Sequence, residues 1–190
     1  TDDVEDEYLN RKADIAANDC CELIFTSGTT GNSKAVMLSH DNLTFIVREG
    51  CDFEKFEVNS EVYVSYLPLS HIAAQTADIV VHINCANTVY FADRNALKGT
   101  LPKTLREVRP TRFLGVPRVY EKMHEKMIEI GSQRNCFMRS IANWAKRVTL
   151  QHHLDVIEGR NPTNSVQFKI AQALIISKVK AALGFDRCKT

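Results

Sequence analysis

The stretch Phe25-Thr26-Ser27-Gly28-Thr29-Thr30-Gly31-Asn32-Ser33-Lys34 decides how the rest of this chain is read. The apolar run Cys21–Phe25 stops at it and a second, Ala35–Leu38, resumes after it, so the pattern predicts strand, loop and strand. Gly28 and Gly31 let the backbone turn tightly, so that successive N–H groups point into one concavity. Thr26, Ser27, Thr29 and Thr30 add hydroxyls, and Lys34 adds a mobile cation. These parts suit the polyphosphate of a nucleotide. The loop is not of Walker type, because Ser33 stands where the second Gly belongs and no Gly-Lys-Ser/Thr follows. Its Gly spacing is also wrong for a dinucleotide fingerprint. A surface loop rich in small residues is the alternative these features leave open.

Outward from the loop, strands and helices alternate. Ser39 and Asp41 offer N-caps to a helix with Leu43, Ile46 and Val47 on one face. Val62–Leu67 reads as a strand stopped by Pro68, His71–Ile83 as a buried helix and Thr88–Phe91 as a strand. Leu97, Leu101, Leu105 and Val108 recur at helical spacing up to Pro110, and Arg112–Val116 reads as a further strand. Pro117 suits the first turn of a helix continuing through Val119–Ile130, with Gly131 as a break or kink before a second helix over Cys136–Glu158. A last helix spans Ser165–Leu183, and Gly184 sits where a left-handed cap belongs. The alternation predicts an α/β fold with crossover connections. Residues 1–19 are polar and acidic and read as an approach segment.

The composition agrees with a folded chain: of 190 residues, 44 % are apolar and 25 % charged, which excludes a disordered tail. This length predicts one domain or a large piece of one. The net charge of +1 gives no global attraction to nucleic acid, so no nucleic-acid partner is expected. Apolar runs such as Ala173–Ile176 are far too short to span a bilayer. Cys20, Cys21, Cys51, Cys85, Cys136 and Cys188 show no C-x-x-C spacing, which favours buried thiols in a reducing compartment over a disulfide framework or a zinc site. The acidic N-terminus is not a secretory signal, and its lack of an initiator Met suggests a fragment. His82, His124, His152 and His153 have no partner in sequence and read as ordinary surface or core residues. Ser132–Leu154 carries Arg134, Arg139, Lys146 and Arg147 beside Phe137, Ile141, Trp144 and Val148. It reads as a helix packed on the core, with peripheral binding to an anionic membrane as the rival.

The loop, with its continuation Val36-Met37-Leu38-Ser39-His40-Asp41-Asn42, resembles the signature of the adenylate-forming (AMP-binding) superfamily. Ser65-Tyr66-Leu67-Pro68-Leu69-Ser70-His71-Ile72-Ala73-Ala74-Gln75 is similar to a second signature of that group. A third is Leu105-Arg106-Glu107-Val108-Arg109-Pro110-Thr111, followed by Gly115-Val116-Pro117-Arg118-Val119-Tyr120-Glu121-Lys122. The His71–Gln75 wording resembles the bubblegum branch of the long-chain acyl-CoA synthetases, and the resemblance runs from Cys20 to Thr190. It implies the incomplete large N-terminal domain of the adenylate-forming fold over 20–190, stopping before the C-terminal half.

What the resemblance implies is a ligase. A fatty-acid carboxylate attacks the α-phosphate of MgATP, pyrophosphate leaves, and the thiol of coenzyme A then displaces AMP from the acyl-adenylate. By similarity, Thr26, Ser27, Gly28, Thr29, Thr30, Gly31, Asn32, Ser33 and Lys34 hold ATP. Lys34 stabilises the departing pyrophosphate, the Thr26 hydroxyl faces Mg2+, and His71 and Gln75 line the acyl pocket and gate its tunnel. Ser33 and Ala35 depart from the family's Pro and Gly. Losing the Pro loosens the loop, at about 0.5–1 kcal/mol. The superfamily's aromatic-Gly-x-Thr/Ser-Glu and Thr-Gly-Asp motifs and its C-terminal catalytic Lys are not in the sequence, so the chain alone is expected not to turn over. Two rivals are a truncated, non-catalytic nucleotide- or fatty-acid-binding module and another acid-activating adenylating ligase. The expected location is the cytoplasm, at the endoplasmic reticulum surface. A partial sheet would also leave an unpaired edge and apolar faces exposed.

Overall fold

The computed structural model describes residues 2–26, 33–162 and 165–189. The chain divides into two compact units, Thr1–Glu61 with Leu67–Val89, and Val62–Tyr66 with Tyr90–Thr190.

The first unit opens with α1 (Asp2–Ala13) inside the polar stretch read as an approach segment. Acidic residues early and Arg11 and Lys12 in the last turn complement the helix dipole, and Arg11 pairs with Glu7 one turn back. Next come β1 (Cys20–Thr26) and β2 (Lys34–Ser39), an antiparallel hairpin around the Ser/Thr/Gly loop. Apolar side chains on both strands, among them Phe25 and Met37, are exposed, as expected of a partial sheet. α2 (His40–Phe53) starts at a reciprocal cap. The Asn42 N–H donates to Ser39 Oγ at 3.2 Å, and the Ser39 N–H donates to Asn42 Oδ1 at 3.2 Å. The face that α2 buries is centred on Val47 and Cys51, whereas Ile46, placed on that face by periodicity, is exposed. These residues pack with Val81 and Cys85.

The predicted buried helix over His71–Ile83 is a continuous helical run of three pieces: α3 (Ile72–Gln75), a π-turn (Thr76–Val80) and α4 (Val81–Asn84). It links β3 (Val62–Ser65) to β4 (Thr88–Phe91), which pair in a second two-stranded sheet. The Thr88 N–H donates to Glu61 O and the Ala92 N–H to Ser65 O, so both chains advance together: the expected crossover between parallel strands.

In the second unit, α5 (Leu101–Val108), α6 (Pro117–Ser132) and α7 (Cys136–Ile157) follow. Pro117 is in the first turn of α6 as expected, but Gly131 does not interrupt that helix, which ends at Ser132. α8 (Ser165–Ala171), a π-turn (Gln172–Ile176) and α9 (Ser177–Leu183) form the last helical run, closed by Gly184 at φ 83°. Two cores result. Val64, Ala96, Leu101, Leu105 and Val119 make one. Ala145 and Val148 of α7 pack on Ala171, with Trp144, Phe168 and Ile175 at the margin, which is the core-packing reading of the basic stretch. No helix among the described residues is long and apolar enough to cross a membrane.

The strand read over Arg112–Val116 does not form. Pairing begins, as the Thr111 N–H donates to Val62 O at 2.9 Å. The Tyr66 hydroxyl then captures the next groups, donating to Leu114 O at 3.0 Å and accepting from the Val116 N–H at 3.3 Å. A side chain thus satisfies backbone groups that a ladder would have used.

Candidate nucleotide site

The hairpin register places Thr26 directly opposite Lys34, with Phe25 opposite Ala35 and Ile24 opposite Val36. The ends of the loop are therefore held together by the sheet, and Thr26 Oγ1 adds a hydrogen bond to Lys34 O at 3.3 Å. Both residues are exposed, as is Ser33. At the far end, the register slips between Cys20 and Glu22, and Cys21 Sγ donates to Leu38 O at 3.2 Å. The ladder is thus regular towards the loop and irregular away from it.

Ser27, Gly28, Thr29, Thr30, Gly31 and Asn32 lie outside the described residues. Thr26, Ser33 and Lys34 thus represent the predicted phosphate loop in the structure, two at the strand ends and one beside them. A donor set of hydroxyls, peptide N–H groups and one ammonium fits a polyanion. It also fits a magnesium ion carried largely by phosphate and water, to which Thr26 offers a hydroxyl oxygen. Among the described residues no three His, Cys, Asp or Glu side chains cluster to hold a metal by themselves.

His71 is exposed and caps α3: its Nδ1 accepts from the Ala73 N–H at 3.1 Å, and its carbonyl accepts from the Ala74 and Gln75 N–H groups. Half-buried Gln75 follows one turn later, immediately before the π-turn. The two predicted gate residues thus belong to one short helix. The π-turn itself was not legible in the sequence. Such turns often accompany functional sites, and this one carries buried Asp78.

His82, read as an ordinary residue, is 3 % exposed, packed edge-on against Phe56. Burial pushes its imidazole down to about 4, against weaker upward pulls from the Glu61 carboxylate and an Ala77 backbone hydrogen bond. The unfolded chain binds the proton near its ordinary value of 6.5 and the folded chain resists it. Between those values the unfolded state therefore holds more protons, and stability falls as pH falls. The loss is expected to approach about 3 kcal/mol by pH 4. Thermal midpoints from pH 7 to 4.5 should drop steadily in the native chain, and His82→Leu should flatten that slope. An unchanged slope would show that His82 is not the group responsible.

His152 stacks on Phe168 with ring centroids 3.7 Å apart, a packing role. Of the six thiols, Cys51 and Cys85 are buried, Cys20 and Cys136 exposed, and none is in a disulfide.

A family profile described as AMP-binding enzyme matches residues 1–172. The chain is 50 % identical to Long-chain-fatty-acid--CoA ligase ACSBG2 of Gallus gallus over 90 % of its own length and 23 % of that protein. It is 45 % identical to Long-chain-fatty-acid--CoA ligase ACSBG1 of Rattus norvegicus, over 98 % of the chain and 26 % of the relative. The chain thus spans about a quarter of the length of the curated relatives it matches. Among solved structures, ATP-bound MatB from Rhodopseudomonas palustris overlaps 57 % of the chain and 21 % of its own, at 28 % identity and a TM-score of 0.48.

Proposed function

The chain belongs to the AMP-binding enzyme family, and from that premise we propose that it is the phosphate-binding part of a long-chain-fatty-acid–CoA ligase. The observation that carries this reading is the 50 % identity to a ligase of that name across nine-tenths of the chain. The reaction is activation of a fatty acid as its acyl-adenylate, then transfer of the acyl group to coenzyme A. In the first step a carboxylate oxygen attacks the α-phosphorus and pyrophosphate departs, so charge neutralisation and alignment matter more than a general base.

This chain's contribution is to hold the leaving group. Lys34, at the first residue of β2, supplies the cation, and pairing with Thr26 of β1 limits how far its backbone can move. Ser27, Gly28, Thr29, Thr30, Gly31, Asn32 and Ser33 supply peptide N–H and side-chain polar groups around the β- and γ-phosphates. Bound Mg2+ would neutralise phosphate charge, with Thr26 as the hydroxyl facing it. His71 and Gln75 border the path of the acyl chain, and the thioester product enters lipid metabolism on the cytoplasmic side of a membrane.

The test is fatty-acid-dependent exchange of pyrophosphate into ATP by the complete enzyme carrying this segment. Lys34→Ala is expected to slow the exchange by about 10²-fold, the usual loss when one charge-stabilising donor is removed from a transition state. Lys34→Arg should recover part of it, because charge is retained and geometry is not. Exchange unaffected by Lys34→Ala would remove Lys34 from the site. No exchange with any fatty acid would remove the ligase reading.

A further inference from the structure

Cys51 and Cys85 are 34 residues apart in sequence, yet the first unit holds their sulfur atoms 3.2 Å apart. Cys51 is in the last turn of α2, and Cys85 is the residue closing α4. Their exposures are 6 % and 3 %, within a cluster that includes Val47 and Val81. The Asn84 side-chain amide lies 3.7 Å from each sulfur. Neither thiol has a part in the nucleotide hairpin.

A shared metal ion does not fit this spacing. A tetrahedral ion holding two thiolates at about 2.3 Å each would keep the sulfurs about 3.8 Å apart. A sulfur–sulfur bond of about 2.05 Å needs only a further approach of about 1.2 Å. We propose that Cys51 and Cys85 are a redox-active dithiol that a peroxide converts into a disulfide clamp between α2 and α4. One thiol, as thiolate, attacks the peroxide O–O bond and becomes a sulfenic acid as the first water leaves. The second sulfur attacks the sulfenic sulfur, the S–S bond forms, and its proton departs with the hydroxyl as a second water. The two electrons that reduce the peroxide come from the two sulfurs.

Burial sets the rate and the persistence of this clamp. It pushes the Cys51 thiol up to about 11, and the hydrogen bond with Cys85 pushes the same way. Thiolate is therefore scarce in the closed unit, and oxidation proceeds slowly through local opening. Once formed, the bond is shielded by the same packing from attacking thiols. Its place gives it a consequence: α2 follows directly on the strand that begins with Lys34, and α4 ends the helical run that contains Gln75. The clamp fastens these two segments. It does not depend on the ligase reading.

The test uses the full chain, reduced, then treated with hydrogen peroxide, alkylated in denaturant, digested and mapped by mass. The expected product is a Cys51–Cys85 linked peptide pair, lighter by two hydrogens and reversed by dithiothreitol. The oxidised chain should melt higher than the reduced one, with its unfolding constant lowered by about 10²-fold or more for a closed loop of this length. Cys51→Ala and Cys85→Ala should each lose both the link and the shift. If either variant folds poorly, the peptide map of the native chain still decides. Links among other cysteines in its place, sulfinic acid at Cys51 or Cys85 without a link, or both recovered as thiols would overturn the proposal.

Discussion

Gly184→Ala is expected to destabilise the second unit by about 3 kcal/mol or more, because it combines two penalties at one atom. Gly184 closes α9 at φ 83°, in the left-handed region where an added Cβ costs about 1–2 kcal/mol. Its N–H donates to Ala181 O and the Phe185 N–H donates to Lys180 O, the paired bonds that end a helix in this way. A Cβ there would also lie 2.2 Å from the carbonyl oxygen of Leu105 and 2.7 Å from the Arg106 nitrogen. Both are backbone atoms of α5, which cannot rotate aside. Residues beyond Gly184 depend on this closeness: Asp186 pairs with Arg109, and the Lys189 N–H donates to Thr111 O at 2.8 Å. Gly159 supplies the control. It has φ 69° and nothing within 4 Å of a built Cβ, so Gly159→Ala should lose only about 1 kcal/mol. Urea unfolding followed by circular dichroism separates the two, and equal losses would mean that α9 does not close against α5.

Leu105→Ala is the second large effect, expected at about 3–5 kcal/mol. Leu105 is fully buried, at the centre of the cluster with Val64, Ala96, Leu101 and Val119, and Phe113, Met123 and Phe185 pack around it. Truncation removes apolar contact and leaves a cavity that helices pinned at their ends close only in part. Leu97 shares the sequence spacing of that face but sits on a separate 3₁₀ turn and is 46 % exposed. Leu97→Ala should therefore change stability by less than about 1 kcal/mol. Denaturant midpoints of the two variants test whether the α5 face begins at Leu101. Similar losses would extend it to Leu97.

Much of the fold was legible because its signals are local. Ser39 at an N-cap, Pro117 at a first turn and Gly184 at a C-terminal cap each act within about one helical turn of themselves. The hairpin was legible for the same reason: two apolar runs flank a loop whose residues favour turning. The candidate site rests on residue types, since phosphate chemistry requires donors and a cation at close spacing. Its geometry was not, because the Thr26–Lys34 pairing is a matter of register.

The misreadings came from partners far along the chain. Arg112–Val116 has strand-like composition, but Tyr66 takes the backbone groups that would have paired. Ile46 and Val47 both follow Leu43 at helical spacing, but where α2 meets α4 decides which of them is buried. Six scattered cysteines carry no sign that Cys51 and Cys85 meet, nor does His82 announce that it is buried. By itself the sequence determined the hairpin, the helices after it and caps such as Ser39 and Gly184, because those rest on interactions between residues a few positions apart. Only the tertiary structure decided which thiols touch, which imidazole resists a proton and which glycine tolerates no side chain. Each of these depends on packing between distant segments, where a shift of an ångström changes the answer.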